Sequence, residues 1–151
     1  MIKVGLVGCG RISKRHSDLL VNNQIKGATL SAVCDIDELK AKDLSKRCNV
    51  PYFTSIQNMC KTIKLDLVSV LTQSGQHAEH VVELSNLVKN IIVEKPMALT
   101  IEDADKMIEA CDKNRSRLFI VKQNRFNKPV QLLRQKIESG ELGKLNLGTV
   151  R

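Results

Sequence analysis

The sequence predicts an α/β fold in which a doubly wound parallel sheet is covered by helices on both faces. Six short apolar runs rich in β-branched residues recur along the chain, and segments with helical periodicity lie between most of them. Apolar strands that alternate with helices are typical of parallel sheets, because such sheets are buried on both faces. The predicted strands are 2–8, 28–35, 51–53, 65–71, 90–94 and 117–122.

Four segments show the helical spacing of three and four residues or its boundary signals. Thr100 is a good N-cap for the third, with Asp103 at the capping-box position, and Asp37 is a natural cap for a helix after the second strand. Pro129 begins the last helix and Gly140 ends it. The predicted inner faces are Ile12, His16, Leu19 and Leu20 in 12–20; Ala78, Val81, Leu84 and Val88 in 76–88; and Ile101, Ala104, Ile108 and Cys111 in 101–111.

The end of the chain differs from the preceding α/β pattern. The stretch "GKLNLGTVR" reads as the opening of a seventh, crossing strand, and nothing in it resembles a natural terminus. We therefore expect a dinucleotide-binding domain over residues 1–140, and the start of a second domain over 141–151.

The composition of the 151 residues indicates an ordinary globular domain, with 42% hydrophobic and 26% charged residues. No apolar run approaches the roughly 20 residues of a membrane span, and the N-terminus lacks signal-peptide features. The five cysteines are odd in number and form no C-x-x-C pair, which favours free thiols. These observations predict a cytoplasmic protein without membrane partners.

The net charge of +8 raises the question of an anionic partner. The basic residues are scattered along the chain, so solvated helix faces account for most of them. Aromatic residues make up 3% of the chain, and no recognition-helix or zinc-finger pattern occurs, which disfavours nucleic-acid binding. His77 and His80 have a spacing that a metal could share, but no matching ligand lies nearby, so no metal site is predicted.

The motif Gly8-x-Gly10-x-x-Ser13 lies between the first strand and the first helix. In a dinucleotide-binding turn, the first glycine permits the tight turn, the second admits the pyrophosphate, and the third position needs a small residue. The helix N-terminus would add N–H groups and partial positive charge, and Arg11 a charged contact. Gly8, Gly10, Arg11 and Ile12 are therefore predicted to bind the cofactor.

An acidic residue at the end of the second strand strengthens this interpretation. Asp35 follows Gly10 by about 25 residues, near the spacing of about 20 at which an acid binds the ribose hydroxyls of NAD. Because the same carboxylate would repel a 2′-phosphate, NAD is predicted and NADP is disfavoured. The alternative is that Asp35 only begins a turn or caps the next helix.

Polar stretches follow three later strands, where ligands of open α/β sheets bind. They are "LTQSGQHAEH", "EKP" and "KQNRFN". The chain resembles the glucose–fructose oxidoreductase / inositol dehydrogenase family of NAD(P)-dependent sugar dehydrogenases in three stretches. They are "VGLVGCGRISKRH", "LTQSGQHAEH" and "VEKPMALT", which contains the Glu-Lys-Pro sequence. The stretch "FIVKQNRFN" further resembles the branch that oxidises UDP-N-acetyl-aminosugar uronates for surface-polysaccharide synthesis.

The resemblance implies roles for residues outside the glycine motif. Lys95 would reach the catalytic centre and stabilise alkoxide character on the sugar, Glu94 would help to position it, and Pro96 would hold the turn rigid, with an unusual peptide geometry in many members. Glu94 and Lys95 are also implied to border the cofactor. The other cofactor-binding residues implied are Thr72 in the strand-four loop, His77 near the cofactor ribose, and Asn124 and Arg125 beside the nicotinamide and substrate. Gln73 departs from the family, which commonly has Pro there.

The resemblance also implies that the family's second domain, with its acid/base histidine, sugar contacts and oligomer interface, is absent from these residues. The predicted function is the cofactor half of an NAD-dependent dehydrogenase of sugars or nucleotide sugars, homo-oligomeric and active only when full length. The alternative is a non-catalytic NAD-binding or sensing module. The Glu-Lys-Pro sequence favours the enzyme, because simple NAD binding needs no lysine at the end of the fifth strand.

Overall fold

The computed structural model describes residues 1–149 and contains one six-stranded parallel sheet with the strand order β3-β2-β1-β4-β5-β6. The order reverses direction between β1 and β4, where a crevice opens at the carboxyl ends of the strands. The strands are β1 Ile2–Val7, β2 Ala28–Cys34, β3 Tyr52–Phe53, β4 Leu67–Val70, β5 Asn90–Val93 and β6 Arg117–Ile120.

Helices connect successive strands, and the predicted α/β fold with a doubly wound parallel sheet is confirmed. The helices between the strands are α1 Arg11–Val21, α2 Glu38–Cys48, α3 Ile56–Thr62, α4 His77–Ser85 and α5 Ile101–Asn114, with a 3₁₀ turn at Ser74–Gln76. The sequence interpretation did not define α3, which is only seven residues long.

Two apolar clusters cover the two faces of the sheet. On one face, Val4 and Leu6 of β1 pack with Leu20 of α1 and Leu44 of α2. The other face holds the side chains that α3, α4 and α5 bury against the alternate positions of the strands. Its fully buried members include Met59, Val68, Val70, Val81, Leu84, Ile91, Val93 and Met107. Alternation along each strand thus assigns α1 and α2 to one face and the remaining three helices to the other.

The inner face of α1 differs from the predicted one. Ser13, Ser17 and Leu20 are its buried residues, whereas Ile12 is 39% exposed. The small serines allow the first turns of the helix to approach the sheet closely. The prediction is therefore right for Leu20, but the expectation that an inner face must be apolar selected Ile12 in place of the two serines.

The inner face of α5 is also rotated relative to the prediction. Cys111 is buried as predicted and Met107 is also buried, whereas Ile101 is 76% exposed and Ile108 is 47% exposed. Both sets have helical spacing, so periodicity could not distinguish between them. In α4, by contrast, Val81 and Leu84 are fully buried as predicted.

The chain from Lys122 onward forms a second compact unit. It contains a 3₁₀ turn at Gln123–Phe126 and helix α6 at Lys128–Glu138, with Pro129 in its first turn. Gly140 follows with a positive φ of 73°. This division falls before the predicted boundary at residue 140, which stays a prediction.

The predicted seventh strand is not seen in residues 143–149, and its last residues, 150 and 151, lie outside the described part of the chain. A strand forms by pairing with a neighbouring strand, and residues 143–149 pair with none of the six strands of the sheet.

All five cysteines are free thiols, of which Cys34, Cys48 and Cys111 are buried. None of the helices within residues 1–149 has the length and apolar character needed to cross a membrane.

Two predicted helix caps are confirmed. The side chain of Asp37 accepts hydrogen bonds from the Leu39 and Lys40 backbone N–H groups at the start of α2. The Thr100 hydroxyl accepts one from the Asp103 N–H at the start of α5. The Asp103 carboxylate accepts a hydrogen bond from the Lys106 ammonium at 2.9 Å, so the predicted capping box is completed only on the threonine side.

Replacing Thr100 by alanine removes this cap from α5. We expect Thr100→Ala to lower the free energy of unfolding by about 1 kcal/mol, because it leaves an N–H group of the first turn without its side-chain acceptor. Urea denaturation followed by circular dichroism measures the change. Thr100→Ser is the matched control and should retain most of the stability; equal losses in both variants would contradict a capping role.

Candidate functional site

A cleft of about 1020 Å³ lies at the carboxyl ends of β1, β2 and β4. Six of the residues predicted to bind the cofactor line it. They are Gly8, Gly10, Arg11, Ile12, Asp35 and Thr72. The wall is completed by side chains from α2, α3 and α4, so the cleft occupies the switch point where ligands of this sheet architecture bind.

Gly8 makes the turn from β1 into the loop and has a positive φ of 97°. A Cβ atom at this position would lie 2.8 Å from both the Leu71 carbonyl carbon and the Thr72 nitrogen. Any side chain would therefore be strained and would also push the loop away from the end of β4. This contact sets the loop directly against the neighbouring strand.

Position 10 needs glycine for a different reason from position 8. Its backbone is extended, with φ −76° and ψ −165°, and a Cβ atom would have no neighbour within 4 Å. The protein itself therefore places no steric limit on this position. The open space lies at the N-terminus of α1, where free N–H groups favour a phosphate, and a Cβ atom would fill it. The residues present thus fit a dinucleotide pyrophosphate.

The Asp35 carboxylate connects the ends of β1 and β2. One oxygen accepts a hydrogen bond from the Cys9 N–H at 2.7 Å, and the other accepts one from the Asp37 N–H at 2.9 Å. The carboxylate therefore supports the glycine-rich loop and borders the cleft at the same time. Its open lone pairs remain suited to ribose hydroxyls, which donate hydrogen bonds to a carboxylate.

Three further residues near Asp35 line the cleft and were not predicted as site residues, namely Ile36, Asp37 and Lys40. Ile36 is 82% exposed there, which suits an apolar surface for a planar base. Lys40 pairs with Asp37 at 3.1 Å. The role of Ile36 could have been predicted from the sequence, because this apolar residue directly follows the acid at the end of the strand.

The wall formed by β4 and α4 contains the Thr72 hydroxyl, which lies 3.0 Å from Nδ1 of His80. Burial lowers the pKa of the His80 imidazole below its ordinary value, so the ring is neutral at pH 7. Burial and the nearby Asp35 raise the pKa of the Cys9 thiol to about 12. Neither group therefore adds an ionised side chain to the cleft, and Arg11 and Lys40 are the cations that line it.

The turn formed by Glu94, Lys95 and Pro96 lies at the end of β5, next to β4 in the sheet. Its Lys95–Pro96 peptide bond is cis. The Glu94 carboxylate is largely buried: Oε1 lies 3.0 Å from Nε2 of His16, and Oε2 accepts a hydrogen bond from the Lys95 N–H at 3.0 Å. The Lys95 side chain is exposed at this edge of the sheet.

His77 is buried beside the cleft wall, and its predicted place near the cofactor ribose stays a prediction. Its ring is 1% exposed and does not line the cleft. Nδ1 lies 2.9 Å from the Pro96 carbonyl oxygen, and Nε2 lies 3.1 Å from the Thr72 carbonyl oxygen. The imidazole therefore joins the end of β4 to the Glu-Lys-Pro turn. This role depends on the positions of two backbone carbonyl oxygens, which the sequence alone does not give.

The remaining predicted residues, Asn124 and Arg125, lie in the 3₁₀ turn of the second unit. Their predicted contact with cofactor and substrate stays a prediction. Within residues 1–149, no three His, Cys, Asp or Glu side chains are grouped so that they could hold a metal ion. The first unit therefore brings together the glycine-rich loop, Asp35 and Thr72, with the Glu-Lys-Pro turn on the adjacent strand.

Comparison with known proteins agrees with this geometry. Residues 2–122 match the family described as an oxidoreductase family with an NAD-binding Rossmann fold. The chain is 28% identical over 144 residues to myo-inositol 2-dehydrogenase from Thermotoga maritima, covering 95% of the chain and 42% of that protein. It is 27% identical to glucose-6-phosphate 3-dehydrogenase from Bacillus subtilis, covering 96% of the chain and 40% of that protein.

Solved structures with 36% identity include two WlbA dehydrogenases in complex with NADH and UDP-GlcNAcA. The Bordetella pertussis structure has a TM-score of 0.89 and matches 95% of this chain and 43% of its own. The Chromobacterium violaceum structure has a TM-score of 0.88 and matches 94% of this chain and 41% of its own. The chain thus spans less than half the length of these relatives.

The two glycines should respond differently to substitution. Gly10→Val should leave the chain folded and abolish measurable NAD binding, because a branched side chain would fill the space at the N-terminus of α1. Gly8→Ala should instead lower the free energy of unfolding by about 1 to 3 kcal/mol through backbone strain. Titration calorimetry measures the first effect and chemical denaturation the second. A folded Gly10→Val variant that binds NAD normally would contradict the assignment of the phosphate site.

Proposed function

Since the chain belongs to the oxidoreductase family with an NAD-binding Rossmann fold, we propose that it is the cofactor-binding half of an NAD-dependent dehydrogenase of sugars or nucleotide sugars. The observation that carries the proposal is the position of the Glu-Lys-Pro turn at the same sheet edge as a cleft suited to NAD. Binding of NAD alone accounts for the cleft. It does not account for a lysine at the end of β5.

The proposed cofactor contacts follow the order of the strands. Gly10 and the N-terminus of α1 would receive the pyrophosphate, with Arg11 adding positive charge. Asp35 would accept hydrogen bonds from the adenosine ribose, and Ile36 would cover the base. Thr72 would border the part of the cofactor nearest to β4. These residues would hold NAD, which would supply the acceptor for the hydride that leaves the carbon carrying the reacting hydroxyl.

Lys95 is the proposed catalytic residue of this half. Its ammonium would donate a hydrogen bond to the reacting hydroxyl oxygen and stabilise the negative charge that develops there. Glu94 would hold the Lys95 backbone through the hydrogen bond to the Lys95 N–H. Asn124 and Arg125 would complete the border of the nicotinamide and substrate. The proton acceptor and most sugar contacts would come from the part of the relatives that this chain does not match.

The nucleotide-sugar branch is the more specific form of the proposal. Two WlbA dehydrogenases described with NADH and UDP-GlcNAcA share 36% identity with the chain, compared with 28% for the inositol dehydrogenase of Thermotoga maritima. The stretch "FIVKQNRFN" supports the same branch. We accordingly propose a UDP-N-acetyl-aminosugar uronate as substrate, a role in polysaccharide synthesis, a homo-oligomeric enzyme and a cytoplasmic location, which the five free thiols support.

The proposed role of Asp35 makes NAD the preferred cofactor of the 151-residue chain. We expect tighter binding of NAD than of NADP, because the carboxylate would face a 2′-phosphate as a like charge. Titration calorimetry with both cofactors tests this preference. Asp35→Asn retains an oxygen acceptor without the charge, and should weaken NAD binding while reducing the discrimination against NADP. Equal affinity of the unmodified chain for both cofactors would contradict the assignment.

The role of Lys95 is tested in the full-length dehydrogenase. Lys95→Ala should lower kcat by roughly 10²- to 10⁴-fold, as is typical after loss of a positioned acid–base or electrostatic group. The affinity for NAD should change little, since the phosphates and the adenosine ribose are bound elsewhere. NADH formation is measured with UDP-N-acetyl-aminosugar uronates and with inositol-like polyols.

Lys89→Ala, which changes an exposed lysine just before β5, is the control and should retain full activity. Full activity of Lys95→Ala would reduce the Glu-Lys-Pro turn to a structural feature. Efficient turnover by residues 1–151 alone would contradict the proposed division of the active site between two halves. Failure of the full-length protein to oxidise any sugar while it still binds NAD would favour the non-catalytic alternative.

A further inference from the structure

Glu94 lies on the α1 side of the sheet because of the alternation along β5. Ile91 and Val93 are fully buried in the cluster of the opposite face, which α3, α4 and α5 cover. Side chains alternate along a strand, so Ile92 and Glu94 are directed toward the face that α1 and α2 cover. The pairing of the Glu94 N–H with the Val70 carbonyl oxygen extends the strand geometry to this residue.

The Glu94 carboxylate uses its two oxygens for two different elements. Oε1 is 3.0 Å from Nε2 of His16 on α1, and Oε2 accepts the Lys95 N–H at 3.0 Å. A carboxylate oxygen accepts hydrogen bonds, so Nε2 of His16 is the donor. The carboxyl side chain is 13% exposed and the imidazole 22% exposed, so water competes little for this contact.

We propose that His16 is a positioning residue for Lys95 and acts through Glu94. The inference rests on the proposed catalytic role of Lys95. With the imidazole in place, the carboxylate is held at both oxygens and its hydrogen bond fixes the backbone of Lys95. Without it, the carboxylate can rotate, and the direction in which the lysine leaves the backbone is less defined. Small displacements of a group that contacts the reacting atoms are costly in rate.

The position of His16 on α1 gives this contact a second consequence. The N-terminus of α1 carries the glycine-rich loop, and His16 lies on the same helix one to two turns farther along. One rigid helix therefore connects the phosphate-binding end of the cleft with the turn that holds Lys95. A simple packing role would affect stability and cofactor affinity, whereas the proposed role affects the rate of the chemical step.

The contact itself is tested in the 151-residue chain by NMR. His16→Met keeps the approximate side-chain size and removes the donor, and should increase amide hydrogen exchange at Lys95. His16→Gln supplies an amide N–H donor and should retain the protection. Arg15→Met, at the exposed neighbouring position of α1, is the matched control and should leave Lys95 unchanged. Unchanged exchange at Lys95 in His16→Met would overturn the inference.

The consequence for the reaction is tested in the full-length dehydrogenase. His16→Met should lower kcat by about 10- to 100-fold, as expected for a misplaced reacting group, with little change in NAD affinity or in the KM for the sugar. His16→Gln should recover most of the rate. A fall in NAD affinity without a fall in kcat, or equal loss of kcat in both variants, would contradict a positioning role.

The two readouts separate this inference from the proposed function. If the full-length protein oxidises no sugar, the proposed function fails, whereas exchange at the Lys95 amide still reports whether His16 fixes the turn. If the protein is active and His16→Met retains full kcat, only the role of His16 fails. Circular dichroism of each variant shows that the chain remains folded before either comparison is made.

Discussion

At Gly8, the backbone of the glycine-rich loop lies so close to Leu71 and Thr72 that a Cβ atom would be 2.8 Å from two of their backbone atoms. This contact sets the loop at the end of β1 against the end of β4, where the strand order reverses. The cleft, the N-terminus of α1 and the Thr72 carbonyl all take their positions from it. The Thr72 carbonyl oxygen in turn faces the His77 ring, whose other nitrogen faces the Pro96 carbonyl oxygen.

Two imidazoles thus support the Glu-Lys-Pro turn from opposite faces of the sheet. His77 on α4 contacts its backbone at Pro96, and His16 on α1 contacts its carboxylate at Glu94. Both contacts are partly or fully shielded from water, where hydrogen bonds are stronger than at the surface. A turn that follows a strand has few backbone partners of its own. Side chains from both helical layers supply the missing support.

The overall fold could be predicted from the sequence because apolar runs and helical spacing determine it. The glycine-rich loop and Asp35 followed from the spacing of a dinucleotide-binding turn and its strand-end acid, whereas Thr72 was implied by the family resemblance. The contacts of His77 could not be predicted in either way, since its partners are carbonyl oxygens whose positions only the folded chain defines. Ile12 and Ile101 were misassigned because a helix can bury small or neighbouring residues with the same periodicity. His16 was read as part of an inner face, and its partner lies 78 residues away in sequence.

The strand order β2-β1-β4-β5 separates Asp35 from Lys95 by three strand spacings, or about 14 Å for strands about 4.8 Å apart. One end of this span discriminates between cofactors in the proposed enzyme, and the other end performs the chemistry. The acid at β2 is held by the Cys9 and Asp37 N–H groups, whereas the turn at β5 is held by His16 and His77. No support is shared directly between them among these contacts. In the proposed enzyme, cofactor preference and turnover therefore depend on different direct contacts, and an engineer could exchange Ile36 or Lys40 beside Asp35 while leaving the hydrogen bonds of the Glu-Lys-Pro turn unchanged.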